Sequence, residues 1–468
     1  MSIASTAEAP PAGSTPDEAV ARARALHPLL QAQQMENEAR GVYSPELHAA
    51  FLDAGFYRLV LPRLFGGYEF SLPDFYRVMV EISRGHPSVG WSVTLPSSHV
   101  LFVASHWPEQ AQREVFAGAD YTLIPWRAAP MGKAVRVPGG YTVTGEWNYA
   151  SGSPYGTHFI GNAAIEGGGS VHCLVPRADY SVLDDWGGER TMGMQASGSN
   201  SVRLETVFVP EHRAVANPGM RVPDDALASG TPGTRLHGNP MYLGQIGGPF
   251  QASLVAVVVG AARAAIDEYT SIVTTKKQMY DPTTLMADGP DAPRHLGVAI
   301  TKTDAAEAGL LGSMEKYMDL CRRCVRDGAA ITDEDNLRLR GSLQQTGQLA
   351  CDAIELLFLT AGSSAAKRGN RLQQYSATPR CTARMAPPRQ TRCRRGWGGR
   401  GWDGGWAGPG RPRCAVPECD GASSILSRQE EDALWQAFFT AAPARRRVFE
   451  PSSKRRKRAP GPLPPATA

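Results

Sequence analysis

Residues 141–154, YTVTGEWNYASGSP, begin with one pattern and end with another. The first six alternate apolar with polar side chains, and this period of two predicts a β-strand. Two aromatic residues follow, Trp147 and Tyr149, and then an Ala-Ser-Gly run centred on Ser151. Small residues at a strand end let a flat ligand approach the backbone, and a hydroxyl group both donates and accepts hydrogen bonds. A plain turn and a ligand-binding loop both fit this segment taken alone.

Segments of the same kind surround this loop. Over residues 121–217, short alternating runs such as KAVRVPGGYTVTGEW and NSVRLETVFVP are separated by glycine pairs. Such runs are typical of antiparallel sheets with turns between neighbouring strands. We therefore predict an antiparallel, β-barrel-like domain here.

Helical periods replace this pattern on both sides, over residues 19–120 and 240–375. Ser44 and Ser71 precede apolar residues at helical spacing and are predicted helix N-caps. The most apolar run, residues 252–262, is too short to span a bilayer, so we expect a buried helix and no membrane association. The predicted fold class is α+β, with a disordered N-terminus (1–18), an N-terminal helical domain (19–120), the central β domain (121–217), a C-terminal helical bundle (240–375) and an irregular, basic tail (376–468).

The charge is divided unevenly along the 468 residues. Residues 376–468 carry 18 Lys and Arg against 7 Asp and Glu, whereas residues 1–375 carry 31 against 38. An acidic body does not resemble a nucleic-acid-binding protein. Its cysteines are few, and although Cys321 and Cys324 have the spacing of a redox pair, they lie in a charged helical pattern with no strand before it. With no signal-peptide pattern at the start, we expect a cytoplasmic protein.

Other candidate residues each have a structural alternative. Ser197 and Ser199 form a second loop of small hydroxyl residues before a strand. The helix end at residues 360–364 is either a glycine cap or a phosphate-binding turn, and Lys276 is either a solvated lysine or a phosphate contact. His99 lies in an apolar helix, where a core role competes with a catalytic one. The histidines have no partners at metal-ligand spacing, so we expect no metal.

The order and spacing of four segments resemble the acyl-CoA dehydrogenase fold over about residues 19–375. The segments are LPRLFGGYEFSLPDF, GEWNYASG, SGSNSVRLETVFVPEHR and LTAGSSAAKRGNRLQQY. They are most similar to the oxygenase branch, the large components of two-component, reduced-flavin-dependent monooxygenases such as the 4-hydroxyphenylacetate hydroxylases. The resemblance implies that the C-terminal bundle has four helices and that the protein is a homotetramer with flavin between subunits. It also implies a separate reductase that supplies reduced FMN or FADH2 by diffusion, and O2 as co-substrate.

The resemblance also assigns roles to residues of this chain. It implies catalytic roles for Ser151, near the flavin N5, and for His99, which also contacts substrate together with Trp126. The remaining implied flavin contacts are Trp91, Tyr149, Ala150, Phe250, Lys276, Ala361, Gly362 and Ser363. A hydroxyl at N5 stabilises a flavin C4a-hydroperoxide, which passes one oxygen atom to a small aromatic or related substrate.

Two departures bear on the substrate. Trp126 stands where a phenol-hydroxylating relative has a small polar residue, and Gly247-Gly248 stands where that relative has a basic group. An acyl-CoA dehydrogenase is the first alternative function, and it requires a carboxylate base over the substrate α-carbon. No Glu of this sequence is assigned to that position.

After Tyr375 the helical periods end and Arg, Gly, Pro and Trp accumulate, including Trp397, Trp402, Trp406 and Trp435. With one set of codons for YSATPRCTARMAP, one base inserted after the Tyr375 codon gives YFRDTAMYRTHGA, which resembles the family continuation and places a His at the position of Met385. We interpret residues 376–468 as a frameshifted segment. GC-biased third codon positions in the present frame would contradict this interpretation. The alternative is a basic arm that binds nucleic acid, which gives the second alternative function.

Overall fold

Helices come first in the chain, and the computed structural model describes residues 14–216 and 229–382. The first helix begins at Pro16, because Thr15 and Glu18 form a reciprocal capping box. The predicted disordered segment 1–18 is therefore wrong for its last residues, and residues 1–13 lie outside the described part. The helices before the sheet are α1 Pro16–Ala25, α2 His27–Ala32, α3 Gln34–Arg40, α4 Pro45–Asp53, α5 Leu72–Gly85, α6 Pro87–His106 and α7 Glu109–Phe116.

Both predicted caps are confirmed, since the Ser44 and Ser71 hydroxyls accept from backbone N–H groups at the starts of α4 and α5. Helix α6 is buried along almost its whole length and packs on α5. The contact is close because Gly90 of α6 lies against Ser83, and a Cβ at Gly90 would lie 2.1 Å from the Ser83 hydroxyl oxygen. This packing fixes α6, which carries Trp91 and His99.

The described residues include a seven-stranded sheet in the order β5-β6-β2-β1-β3-β4-β7. Its neighbouring strands are antiparallel except β1 and β3, which are parallel, so the all-antiparallel prediction is wrong at this pair. The reason is the connection after β2, which crosses to the far side of β1 and carries Ser151 on the way. The strands are β1 Trp126–Val137, β2 Gly140–Trp147, β3 His158–Ile165, β4 Ser170–Pro176, β5 Ser181–Val182, β6 Val202–Pro210 and β7 Ala214–Ala216.

Trp147 is the centre of the sheet core. Its ring is fully buried and its Nε1 donates to the Asn162 carbonyl oxygen at 2.8 Å. Gly132 and Gly161 make room for the ring, since a Cβ at either position would lie 2.1 Å or 3.1 Å from it. Trp147 therefore supports the end of β2, from which the chain continues into the Ser151 loop.

Helices return after the sheet as α8 Pro232–His237, α9 Gly247–Thr275, α10 Asp291–Asp327, α11 Asp333–Thr360 and α12 Arg371–Thr382. Helix α9 contacts α10, α11 and α12, and α11 contacts both α10 and α12, so packed helices follow the sheet as predicted. The sequence analysis expected the apolar run to be too short to span a bilayer. Helix α9, however, has 29 residues and is long and apolar enough to cross a membrane, so its length does not exclude a span. However, 78% of its apolar window is buried inside the protein, which is the pattern of a core helix.

Helix α12 continues beyond Tyr375 to Thr382, so the predicted irregular tail is wrong for its first residues. Ala377 and Thr378 are buried, and burial of these small residues against neighbouring elements favours the helix over irregular chain. The remaining tail lies outside the described residues. Cys321 and Cys324 are buried on α10 as thiols, and burial raises the pKa of Cys321 to about 12, which does not suit redox chemistry.

Candidate active site

The Ser151 hydroxyl lies at the centre of a chain of hydrogen bonds. The indole Nε1 of Trp91 donates to Ser151 Oγ at 2.8 Å. Ser151 Oγ is 2.8 Å from Ser199 Oγ, and Ser199 Oγ is 2.7 Å from Ser197 Oγ. These side chains are buried. The two loops of small hydroxyl residues identified in the sequence therefore form one hydroxyl chain, anchored on helix α6.

The backbones of the two loops pair beside this chain. Gly152 N donates to the Ser197 carbonyl oxygen at 3.0 Å, and Ala150 N donates to that of Asn200 at 3.2 Å. Gly152 has a φ of 76°, and a Cβ there would lie 2.6 Å from the Ser92 carbonyl oxygen. Only glycine fits, because the loop presses directly on α6.

Tyr149 precedes this loop in an unusual conformation. Its φ is 57°, its side chain is 45% exposed, and its ring meets Trp186 edge-on with centroids 5.8 Å apart. A non-glycine residue in the left-handed region costs about 1–3 kcal/mol, and such strain is concentrated at functional sites. The predicted flavin segment Tyr149, Ala150 and Ser151 thus combines an exposed ring with a buried hydroxyl.

A small apolar cluster lies beside the hydroxyl chain, separate from the two main cores. It contains residues from α6, α9 and the loop before β6, with Phe250 packed against it. Its members bring together two predicted flavin contacts, Trp91 and Phe250. The cluster is formed by Trp91, Leu95, Met194, Leu254 and Val257.

His99 lies on α6 two turns beyond Trp91. Its Nδ1 donates to the Ile124 carbonyl oxygen at 2.8 Å, which fixes the tautomer and leaves Nε2 as an acceptor. Within the described part of the chain, Nε2 is buried and has no hydrogen-bond partner. Burial lowers the pKa of His99 to about 4, so the ring is neutral at physiological pH.

Two other residues predicted from the sequence, Trp126 and Phe250, contact the His99 ring. The ring of Trp126 lies edge-on to it with centroids 5.3 Å apart, and that of Phe250 is roughly parallel at 6.2 Å. Trp126 Nε1 is also buried without a partner among the described residues. The group combines flat apolar walls with one free acceptor and one free donor, which is the chemistry of a site for a polar aromatic molecule.

The sequence analysis missed His172 on β4. Its ring centroid is 5.6 Å from that of Trp126, and neither ring nitrogen has a partner within the described residues. Burial lowers its pKa to about 3. The only signal in the sequence was a polar residue between the apolar neighbours Val171 and Cys173 in a strand.

Lys276 and the helix end after α11 lie together in a second place. Lys276 Nζ hydrogen-bonds the Ser364 hydroxyl, and Ser364 follows Gly362, whose φ is 83°. Ala361 is buried at the end of α11. No hydrogen bond, ion pair or ring contact within residues 14–216 and 229–382 joins this turn directly to the Ser151 loop. The predicted flavin contacts therefore form two separate groups in one chain.

The residues present fit a bound flavin. On α6, the hydroxyl groups of Ser92, Thr94 and Ser97 are buried without partners among the described residues, and the Trp91 cluster supplies an apolar wall.

Only Glu38 and Glu81 are buried carboxylates in the described part, and Glu81 is 2.8 Å from Arg24. The described residues also contain no cluster of metal-ligating side chains.

Known proteins share this architecture. The acyl-CoA dehydrogenase C-terminal domain family matches residues 252–376. A flavin-dependent monooxygenase, oxygenase subunit HsaA, from Rhodococcus jostii (strain RHA1) is 29% identical over 359 residues, which are 76% of this chain and 90% of that protein. A pigment production hydroxylase from Rhodococcus sp. (strain ATCC 21145) is 33% identical over 312 residues, 64% of this chain and 76% of that protein.

The chain is a flavin-dependent monooxygenase of the acyl-CoA dehydrogenase fold. The solved structure of XiaF from Streptomyces sp. in complex with FADH2 and glycerol has a TM-score of 0.70 and 26% identity to this oxygenase, covering 79% of this chain and 91% of that one. Oxygenases of this kind are components of two-component systems and work with a flavin reductase. The relatives support this class over the acyl-CoA dehydrogenase and nucleic-acid-binding alternatives.

The match to the C-terminal domain family ends at residue 376, next to the position where the sequence analysis places a change of reading frame. The frameshift interpretation agrees with this boundary and stays a prediction.

Proposed function

We propose that this oxygenase binds reduced FMN or FADH2 from a separate reductase and hydroxylates a small aromatic substrate that carries a hydroxyl or N–H group. The observation that carries the proposal is the pairing of two sites along α6. The hydroxyl chain at Ser151 lies at one end, and the His99 aromatic group lies two turns away. When bound, reduced flavin activates O2 and supplies one oxygen atom to the substrate.

Ser151 holds its hydroxyl in a fixed direction in this proposal. Because Trp91 Nε1 donates to Ser151 Oγ, the Ser151 hydroxyl proton is directed either to Ser199 or to a ligand in the pocket. The Ser199–Ser197 contact lets the chain accommodate both arrangements. The Trp91 cluster excludes water from the same side, which would limit unproductive release of hydrogen peroxide when reduced flavin and O2 are bound.

His99 orients the substrate. Its unpartnered Nε2 accepts the hydroxyl or N–H proton of the aromatic substrate, while Trp126 and Phe250, which contact each other edge to face, supply an apolar wall beside it. Accepting this hydrogen bond increases electron density on the ring and so favours attack on the activated oxygen. The indole N–H of Trp126 offers a donor to a second polar substituent.

The second group of contacts belongs to the same proposal. We infer that Lys276 and the turn with Ala361, Gly362 and Ser363 bind the flavin phosphate of a neighbouring subunit in a homotetramer, since no direct contact within the described residues joins this group to the Ser151 loop. Exposed apolar residues lie nearby, including Met279 at 80% and Tyr280 at 96% exposure, and Leu359. Such a tetramer takes its flavin by diffusion in the cytoplasm.

The test is to mix the protein anaerobically with reduced FMN or FADH2, admit O2 and follow the near-ultraviolet and visible spectrum. We expect a species that persists for seconds before oxidised flavin appears, and hydroxylated product when the right member of a panel of phenols and indoles is present. Immediate oxidised flavin and stoichiometric hydrogen peroxide with both flavins would contradict the proposal. A chain with the reading frame restored after Tyr375 separates an effect of the tail from a wrong function.

A further inference from the structure

Glu38 is a buried carboxylate on α3. The residue is 5% exposed, and its Oε1 accepts a hydrogen bond from Ser88 Oγ at 2.5 Å. Ser88 is the second residue of α6, one turn before Trp91. The carboxylate is therefore attached to the helix that supplies the Trp91 end of the hydroxyl chain.

The same carboxylate also contacts the loop that precedes Ser197. The backbone N–H groups of Gln195 and Ala196 interact with it and lower its pKa, together with Ser88. These two residues directly precede Ser197, and they follow Met194 of the Trp91 cluster. One buried carboxylate thus contacts both the start of α6 and the loop that carries Ser197 and Ser199.

We propose that Glu38 is a positioning residue of the oxygenase, whose carboxylate holds α6 and loop 194–199 at the separation that the Trp91–Ser151–Ser199 hydroxyl chain requires. This inference rests on the proposed flavin site. An ionised carboxylate accepts from the hydroxyl and both amides at once, because its two oxygens have about four acceptor positions. A protonated carboxyl group instead brings a donor of its own among these donors, and one contact is weakened.

The surroundings allow this group to change state near neutrality. Burial raises the pKa of Glu38 from its ordinary value to about 7, which outweighs the lowering by Ser88 and the two amides. The titratable group that faces it from α5 and α6 is His86, whose Nε2 is 3.9 Å from Oε1 and whose pKa burial lowers to about 3. The positive charge of Arg371 on α12 also lowers the pKa of His86. The exposed Glu36 of α3 forms an ion pair with Arg40.

The sign of the effect follows from the raised pKa. Protonation of Glu38 stabilises the folded chain below pH 4.5, and this contribution is lost as pH rises through about 7. The ionised form therefore costs stability and aligns the pocket. A residue with a purely structural role would instead stabilise the fold in its ionised state. A positioning role is therefore recognised by its effect on the Trp91 environment and on flavin affinity.

The experiment compares the full-length wild type with Glu38→Gln, Ser88→Ala and the matched control Glu36→Gln. The first readout needs no flavin. In protein labelled with 5-fluorotryptophan, the ¹⁹F resonance of Trp91, assigned with Trp91→Phe, is followed from pH 5.5 to 8.5. We expect it to shift with a midpoint near pH 7 in the wild type and Glu36→Gln, and to be independent of pH in Glu38→Gln.

The second readout is the dissociation constant of reduced flavin at pH 8. We expect it to rise about tenfold in Glu38→Gln and about threefold in Ser88→Ala, since hydrogen bonds to a charged group are lost, and to stay unchanged in Glu36→Gln. A Trp91 resonance that titrates equally in Glu38→Gln, or unchanged flavin affinity in that folded variant, would overturn the proposal. If the wild type itself binds no reduced flavin, the proposed function fails, and the fluorine titration still decides the role of Glu38.

Discussion

The Ser151 loop and the Ser364 turn contain the same kinds of residue in different states of completion. Each combines small residues, hydroxyl groups and a glycine with positive φ. At Ser151 the hydroxyls are buried and joined to Trp91 and Ser199, and Gly152 presses on α6. At Ser364 one lysine contacts the hydroxyl, and nothing described lies within 4 Å of a Cβ built on Gly362. The contacts at Ser151 are complete within one chain. The turn at Ser364, in contrast, leaves room for another molecule.

The two glycines give the largest expected difference between these regions. Gly152→Ala places a Cβ 2.6 Å from the Ser92 carbonyl oxygen in addition to the strain of positive φ, so we expect a loss of about 3 kcal/mol in unfolding free energy and loss of reduced-flavin binding. Gly362→Ala has the backbone strain alone, at φ 83° and ψ 166°, and should lose less, about 2 kcal/mol. Denaturant unfolding measures both, and equal losses would contradict the contrast in crowding.

The next largest effect is expected at the two serine hydroxyls. Ser151→Ala leaves the buried Trp91 Nε1 without its acceptor and removes the hydroxyl that faces the ligand, so reduced flavin should return to its oxidised form about 10 to 100 times faster in O2, with peroxide release. Ser364→Ala should change flavin affinity a few-fold and leave the oxidation rate of bound flavin alone. Stopped-flow spectra with both flavins measure the rates. A Ser151→Ala oxidation rate equal to that of the wild type would exclude the proposed role of the hydroxyl.

Sequence patterns predicted the parts of the Ser151 site but not their connections. Both loops of small hydroxyl residues were identified, yet Ser151 and Ser199 meet only because β2 and β6, far apart in sequence, are neighbours in the sheet. Glu38 gave no signal, since a polar residue on a short helix is ordinarily exposed. His172 was hidden because both faces of β4 are buried and its neighbours are apolar. Local periodicity predicts elements, and only topology decides which side chains converge.

His99 allows the substrate end of the first region to be tested against a matched residue. His99 and His106 lie on α6, each donates to a backbone carbonyl group, and burial lowers the pKa of each to about 4. Of these two histidines, only His99 has ring contacts with Trp126 and Phe250 within the described residues. We expect His99→Gln to raise the substrate KM about tenfold at pH 7.5 and His106→Gln to leave it within about twofold. A KM raised equally by both variants would assign the effect to the packing of α6.

Their shared pKa direction gives a stability prediction as well. Because the neutral ring is favoured in the fold, its contribution is present above pH 6.5 and is lost as pH falls toward 4. The unfolding free energy of each variant should therefore fall less than that of the wild type between pH 6.5 and pH 4. The difference in this fall is at most about 3 kcal/mol. Thermal unfolding from pH 7 to pH 4 measures this, and it separates acid stability, which both histidines affect, from substrate affinity.

The smallest expected effect concerns Lys276, and it tests whether the second region belongs to a neighbouring subunit's flavin. Lys276→Gln should weaken flavin binding about threefold at low salt and less at high salt, because one screened charge is removed, whereas Lys277→Gln should have no effect. The stronger Lys276→Glu can then be co-expressed with Ser151→Ala. If flavin sites combine residues of two chains, mixed oligomers contain some sites with neither substitution, and slow flavin oxidation with tight binding should reappear in a fraction of them. If each chain binds flavin alone, every site keeps one substitution, and mixing should recover nothing beyond the average of the two variants.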